Sequence, residues 1–162
     1  MNQIKTSHET EEILQLVSFI IENEEFGIDI LKVEEIIRVI SVTKIPNAPD
    51  FIEGVINLRG KVIPVIDLRT RLNRARKEHD NNTRVIVVEV NGLTVGFIVD
   101  SVREVLRIPK SIIEPPPSLV TGIDSEYITA IGKLEDRLLI LLDLEKVLDF
   151  KQKVELSKIS EN

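Results

Sequence analysis

The chain predicts a mainly β protein built as two small barrels side by side, with short helices between strands. Three observations carry that prediction. Arg84–Val90 and Leu93–Asp100 are β-branched runs joined by Asn91-Gly92, the pair that best accommodates a two-residue hairpin turn. A polar stretch at 73–82, with Ala75 its one apolar residue, splits the chain near its middle. On either side the same signals recur in order. Phe26-Gly27-Ile28-Asp29, Val33-x-Glu35-Ile36, Ile45-Pro46, Gly54 and Ile66-Asp67-Leu68 return as Gly96 to Asp100, Val102-x-Glu104-Val105, Ile108-Pro109, Gly132 and Leu142-Asp143-Leu144. Each half holds roughly five short strands, too few for a sandwich and suited to a small closed sheet.

Taken in order, residues 1–12 form a polar tail, and Leu14–Ile21 is a strand ended by the turn signal Glu22–Glu25. Phe26–Asp29 pairs back on it. Ile30-Leu31-Lys32 makes a brief helical turn before Val33–Ile40 extends again; its β-branching outweighs a competing helical spacing. Ile45–Asp50 is a proline-punctuated loop, and Pro49–Ile52 opens one helical turn. Val55-Ile56 and Val62-Ile63 then flank Asn57-Leu58-Arg59-Gly60, a hairpin with an arginine at its tip, while Pro64 suits an edge strand or a bulge. Leu68–Leu72 is a helical turn closing barrel 1 (13–72). Barrel 2 (83–150) holds the Asn91-Gly92 hairpin, the alternating strand Val102–Ile108, a loop with Pro115-Pro116-Pro117, a hairpin turning at Glu135-Asp136 and a helix over Leu144–Phe150. Neither half buries much surface alone, so a shared core between them is expected, with strand exchange possible. In the charged tail 151–162, Val154, Leu156 and Ile159 suit a loose helix.

Composition narrows the function. With 43% hydrophobic residues in 162 the chain can build its own core, and with no cysteine it has neither disulfides nor thiolate metal sites. No apolar run approaches the roughly 20 residues of a membrane span, so no direct insertion is expected and the setting reads as cytoplasmic. A net charge of −6 and 4% aromatic content, with no tryptophan, argue against nucleic acid. The phosphate-loop, dinucleotide and nucleophile-elbow patterns are all missing. His8 and His79 sit in polar segments. Asp67, Asp100 and Asp143 end apolar strands, where a carboxylate accepts backbone N–H groups at a turn or helix start, and Tyr127 reads as a packing residue. No catalytic residue, metal ligand or cofactor is assigned.

The stretch Phe26-Gly27-Ile28-Asp29-Ile30 with Val33 and Glu35-Ile36, then Ile45-Pro46, Ile52-x-Gly54-Val55-x-Asn57-Leu58-Arg59-Gly60 and Pro64-Val65-Ile66-Asp67-Leu68, resembles the CheW-type adaptors of bacterial chemotaxis. The likeness continues through Gly96, Val99-Asp100, Val102, Val105-Leu106, Ala130-Ile131-Gly132 and Leu141-Leu142-Asp143, covering roughly Leu14 to Phe150. It implies two five-stranded Src-homology-3-like barrels and a scaffold without catalytic activity. The implied partners are the cytoplasmic tip of a methyl-accepting chemoreceptor and the regulatory domain of the histidine kinase CheA. The resemblance puts Ile30, Val33, Glu35, Arg59, Val85, Val99 and Val102 in a receptor groove between the barrels. Asn57, Leu58, Gly60 and Val105 are candidates for the kinase contact. Each position has a plainer reading: Val85, Val99 and Val102 as core valines, Glu35 and Arg59 as a pair fixing the barrels. An adaptor of a non-chemotactic phosphorelay, or a small hydrolase using Asp67 and Asp143, stays open as an alternative.

Overall fold

The protein is described by a computed structural model covering residues 11–116, 127–148, 152, 155, 158 and 159. β1 (Ile13–Ile21) and β2 (Glu24–Asp29) form the first hairpin, turning through Glu22 at positive φ. A 3-10 turn over Ile30–Lys32 follows, its start fixed by Asp29, whose Oδ1 accepts the Leu31 N–H at 2.9 Å. β3 is Val33–Arg38. The strand Ile52–Leu58 (β4) turns through Arg59 and Gly60, both at positive φ, into Lys61–Asp67 (β5). Helix α1 (Leu68–Arg71) is capped by Asp67, which accepts the Arg69 N–H at 3.0 Å. Arg84–Val90 (β6) and Leu93–Val99 (β7) are joined by Asn91-Gly92, again both at positive φ as a type I′ turn needs. The remaining elements are β8 (Ser101–Pro109), β9 (Ile113–Glu114), β10 (Ile128–Lys133), β11 (Leu138–Leu142) and α2 (Leu144–Val147), the last capped by Asp143 on the Glu145 N–H at 2.9 Å.

The sheets do not follow the two sequence halves. One runs β8-β1-β2-β11-β10-β9 and the other β3-β6-β7-β5-β4, so each takes a hairpin from one side of 73–82 and three or more strands from the other. The split into 13–72 and 83–150 is therefore not the division between barrels, and one sheet has six strands where five were expected. Pairing registers define the repeat. Val87 faces Gly96 as Ser18 faces Gly27, and Glu35 faces Val87 as Glu104 faces Ser18, a constant offset of 69 residues. In the second hairpins Gly54 faces Val65 as Ala130 faces Leu141, an offset of 76. The structural counterpart of Gly54 is thus Ala130, not Gly132.

Three cores result. Ile56, Ile63, Val65, Val85, Val87 and Ile98 fill the five-stranded barrel with Ile37 of β3 against them, so that sheet curls on itself. The segment after β3 closes onto β4, where Thr43 and Val55 exchange two N–H···O bonds of 2.8 Å. Leu16, Ile108, Leu139 and Leu141 fill the six-stranded one. The largest core lies between them and includes Phe19, Ile21, Val88, Phe97, Leu68 and Leu144. β1 is therefore apolar on both faces, Leu16 inward and Val17, Phe19 and Ile21 toward the partner barrel. Tyr127 joins this shared core, with the Arg71 guanidinium 4.9 Å from its ring centre.

Four local expectations change. Pro49–Ile52 is a hydrogen-bonded turn (Ile52 N–H to Pro49 O, 3.0 Å), because β4 pairing captures Ile52. Pro64 lies in an internal strand, but β5 pairs with β7 only from Val65 onward, so its missing donor costs no ladder bond on that side. The last helix spans Leu144–Val147 rather than reaching Phe150, which lies outside the described residues with Val154, Leu156 and most of the triple-proline loop. Finally, the polar stretch 73–82 is pinned. Arg74 pairs with Glu22 at 2.8 Å and Glu24 at 2.5 Å, and Arg76 pairs with Glu53. Composition marks it as polar but does not show that its arginines find acids far away in sequence.

Candidate functional site

Each candidate residue is placed by strand register. Ile30, Val33 and Val102 are half-buried and pack on the margin of the shared core, and the 69-residue offset makes Val33 and Val102 counterparts. Val85 and Val99 are not groove residues. Val85 is fully buried inside the five-stranded barrel and Val99 is buried in the shared core, so neither reaches a partner's surface. Alternation identifies which valines share a face, but in a chain with three cores both faces of a strand can be interior.

Glu35 and Arg59 do come together. The Arg59 guanidinium donates to the Glu35 carboxylate, tying the β4–β5 tip to β3 across the barrel, and this bond, with the attraction of the charges, holds the Arg59 pKa above its usual range. The Arg59 side chain remains 71% exposed, so the pair is a surface feature of small energetic weight. Asn57 shapes the tip by accepting the Gly60 N–H at 2.8 Å, and Leu58 packs on the barrel core. Val105 stands on β8 with about half its surface in water.

The repeat adds residues that motif reading missed. Ile36 corresponds to Val105, Val62 to Leu138, Glu35 to Glu104 and Lys61 to Arg137, and all four apolar members are exposed. Successive strand side chains point to opposite faces, so Ile36 and Val105 face away from Glu35 and Glu104; Arg59 pairs with Glu35, and Arg137 lies 3.9 Å from Glu104. The matching Val33-x-Glu35-Ile36 and Val102-x-Glu104-Val105 patterns were the available signal. Below these ends the barrels also correspond. Buried Glu25 receives Arg137 Nε at 2.6 Å, Arg103 at 3.3 Å and the Ser18 hydroxyl, where the other barrel has Lys61 donating to Thr94 at 3.0 Å.

The three strand-end aspartates are all engaged, two of them locally. Asp67 and Asp143 cap helices. Asp100 accepts the Arg69 fork at 2.6 and 2.7 Å and the Glu22 N–H at 2.8 Å. Among the described residues no group of His, Asp or Glu is arranged to hold a metal ion. Burial pushes the Asp67 carboxyl up, with the Arg69 N–H only partly opposing it. For Asp100 burial acts upward too, yet Arg69 and the Glu22 amide hold it below the usual range. A depressed carboxyl stabilises the fold above its unfolded pKa of about 4, and that contribution is lost as pH falls through the folded value. A raised one costs stability at neutral pH and is relieved as pH falls. Asp100→Asn is therefore expected to lower Tm at neutral pH far more than at about pH 3. Asp67→Asn, which keeps a capping oxygen, is expected to leave Tm at neutral pH unchanged or higher. Calorimetry at both pH values checks this, and the reverse ranking would contradict it.

Exchanged barrels that expose Ile36, Val62, Val105 and Leu138 have the surface of a protein-docking module. Comparison with known proteins agrees. A model of the CheW-like domain matches residues 15–152. The chain is 44% identical over 138 residues to the chemotaxis protein CheW of Klebsiella aerogenes, covering 85% of this chain and 83% of that one. It is 38% identical over 141 residues to CheW of Helicobacter pylori, covering 86% and 84%. The crystal structure of the scaffolding protein TtCheW from Thermoanaerobacter tengcongensis superposes with a TM-score of 0.79 at 41% identity, covering 87% of this chain and 96% of that one. The chain belongs to the CheW family of chemotaxis scaffold proteins.

Proposed function

We propose that this chain is a non-catalytic cytoplasmic adaptor that binds the cytoplasmic tip of a methyl-accepting chemoreceptor and the regulatory domain of the histidine kinase CheA, so that receptors control the kinase. The receptor helix lies along the margin formed by Ile30, Val33 and Val102, with Glu35 and Arg59 at its rim. The kinase domain meets the barrel ends, through Asn57, Leu58 and Gly60 on one and Val105 on the other. The chain reaches the receptor array through these partners; among the described residues no helix is long and apolar enough to cross a membrane. The observation that carries the reading is the half-buried apolar margin of Ile30, Val33 and Val102 together with the Glu35–Arg59 ion pair. A helix takes affinity from an apolar trough and specificity from a few rim charges.

Co-purification of the chain with a receptor cytoplasmic fragment and with the CheA regulatory domain tests it. Wild type is expected to hold both. Arg59→Ala is expected to lose the receptor roughly tenfold or more with unchanged circular dichroism, because alanine tolerates the positive φ of residue 59 as well as arginine does. A wild-type chain that holds neither partner refutes the reading.

A further inference from the structure

The internal repeat relates two seams between the barrels, and they are built differently. On one, Arg69 of α1 grips Asp100, Asp100 fixes the Glu22 N–H, and Arg74 adds Glu22 and Glu24. On the other, the offset puts Glu145 in the place of Arg69 and Leu31-Lys32 in the place of Asp100-Ser101. What remains is one pair, Lys32 to Glu145 at 3.1 Å, with both side chains about half exposed. The filling differs as well. Phe97 and Phe19, both fully buried, correspond to Ile28 and Val88, and beside these smaller residues a cavity of about 280 Å³ opens. Ile28, Val88 and Leu142 line its floor, and among the described residues its rim sets Asp29, Glu89, Asp143 and Glu145 against Lys32. Leu31 stands next to it, 87% exposed on the 3-10 turn that Asp29 caps.

We propose that this open seam is a docking site for a partner protein segment carrying a large apolar side chain directly beside a lysine or arginine. The sealed seam shows what completes such a junction: an aromatic ring in the depth and a guanidinium at the mouth facing carboxylates. Among the described residues the open seam has the carboxylates and the space but no aromatic ring and no guanidinium, only Lys32 on Glu145, so charge and shape select a basic-apolar segment over an acidic one. Its lining residues include none of those proposed above for receptor or kinase, although Asp29 and Lys32 adjoin Ile30 and Val33 of the receptor margin, so it adds a contact beside that margin.

The test uses the full-length chain, labelled for amide NMR, and two synthetic probes: a Gly/Ser peptide carrying two Phe-Arg steps and its Phe-Glu counterpart. The Phe-Arg peptide is expected to shift amides of residues 29–33, 88–92 and 142–147, and the Phe-Glu peptide to shift none. Glu89→Lys with Glu145→Ala is expected to weaken the first at least tenfold, while receptor fragment and kinase domain still co-purify with that variant. Leu31→Ser, at a position with almost no buried surface, should weaken it without disturbing the fold. Equal binding of the two peptides, no binding, shifts centred elsewhere, or concentration-dependent shifts at the seam without peptide, which mark a second copy as occupant, each overturn the proposal. Loss of receptor and kinase binding in the double variant overturns it too, since the seam would then belong to those surfaces.

Discussion

Replacing Phe19 by alanine is expected to lower the unfolding free energy by ~3–5 kcal/mol and to weaken both barrels together. Phe19 has no exposed surface, stacks on Phe26 with ring centres 5.8 Å apart, and sits in the core that the two sheets share. A cavity there removes contacts from β1 and β2 of one sheet and from β6 and β7 of the other. Since a domain of this kind holds only about 5–15 kcal/mol in total, the loss is a large fraction. Urea unfolding followed by far-ultraviolet circular dichroism and by the fluorescence of Tyr127 measures it. Tyr127 is the single tyrosine in a chain without tryptophan and reports on the shared core alone. Coincident transitions, both moved to lower urea, are the expected result; a Tyr127 transition that separates from the dichroism would show barrels that unfold independently.

Gly54→Ala carries the second large effect, ~2–3 kcal/mol of destabilisation. A Cβ on Gly54 would run into the Thr43 carbonyl and come within 2.7 Å of Val42 Cγ1, at the bridge that closes the segment after β3 onto β4. Backbone oxygen cannot swing aside as a side chain can. Two glycines serve as controls. Gly132→Ala meets nothing nearer than 3.6 Å and is expected to be nearly neutral, whereas Gly60→Ala, in open space at positive φ, is expected to cost about 1 kcal/mol. Thermal unfolding of the three variants ranks them, and a benign Gly54→Ala would remove the crowding argument. Ala130, the counterpart of Gly54, already carries the methyl group in the six-stranded sheet, where Glu114 of β9 pairs with Ile131, the counterpart of Val55.

The hairpins were legible because turn chemistry is local: Asn91-Gly92 and Gly60 adopt the positive φ that their composition suggested, while Arg59 joins them without such a signal. The aspartate caps were legible for the same reason. Strand exchange is different, since Gly27 pairing with Leu141 and Gly96 with Val65 are contacts between residues well separated in sequence that no short window contains. Val85 and Val99 were misplaced because period-two alternation gives a face and not its surroundings. The apolar ends were half visible: Val105 stood out as a candidate, whereas Leu138 became one only when register showed it to be the counterpart of Val62. The sealed seam was invisible, because Arg69, Asp100 and Glu22 are each ordinary surface residues until α1 packs beside β7.

The exchanged sheets also order events during synthesis. As the chain leaves the ribosome, every strand of the five-stranded barrel is available once Val99 has emerged, whereas β1 and β2, made first, have no complete sheet to join until Leu142 follows. The earliest hairpin is thus the last to be closed in. Until then its two apolar faces are shielded only by the neighbouring barrel, which makes the hairpin of β1 and β2 the segment most in need of a chaperone's cover.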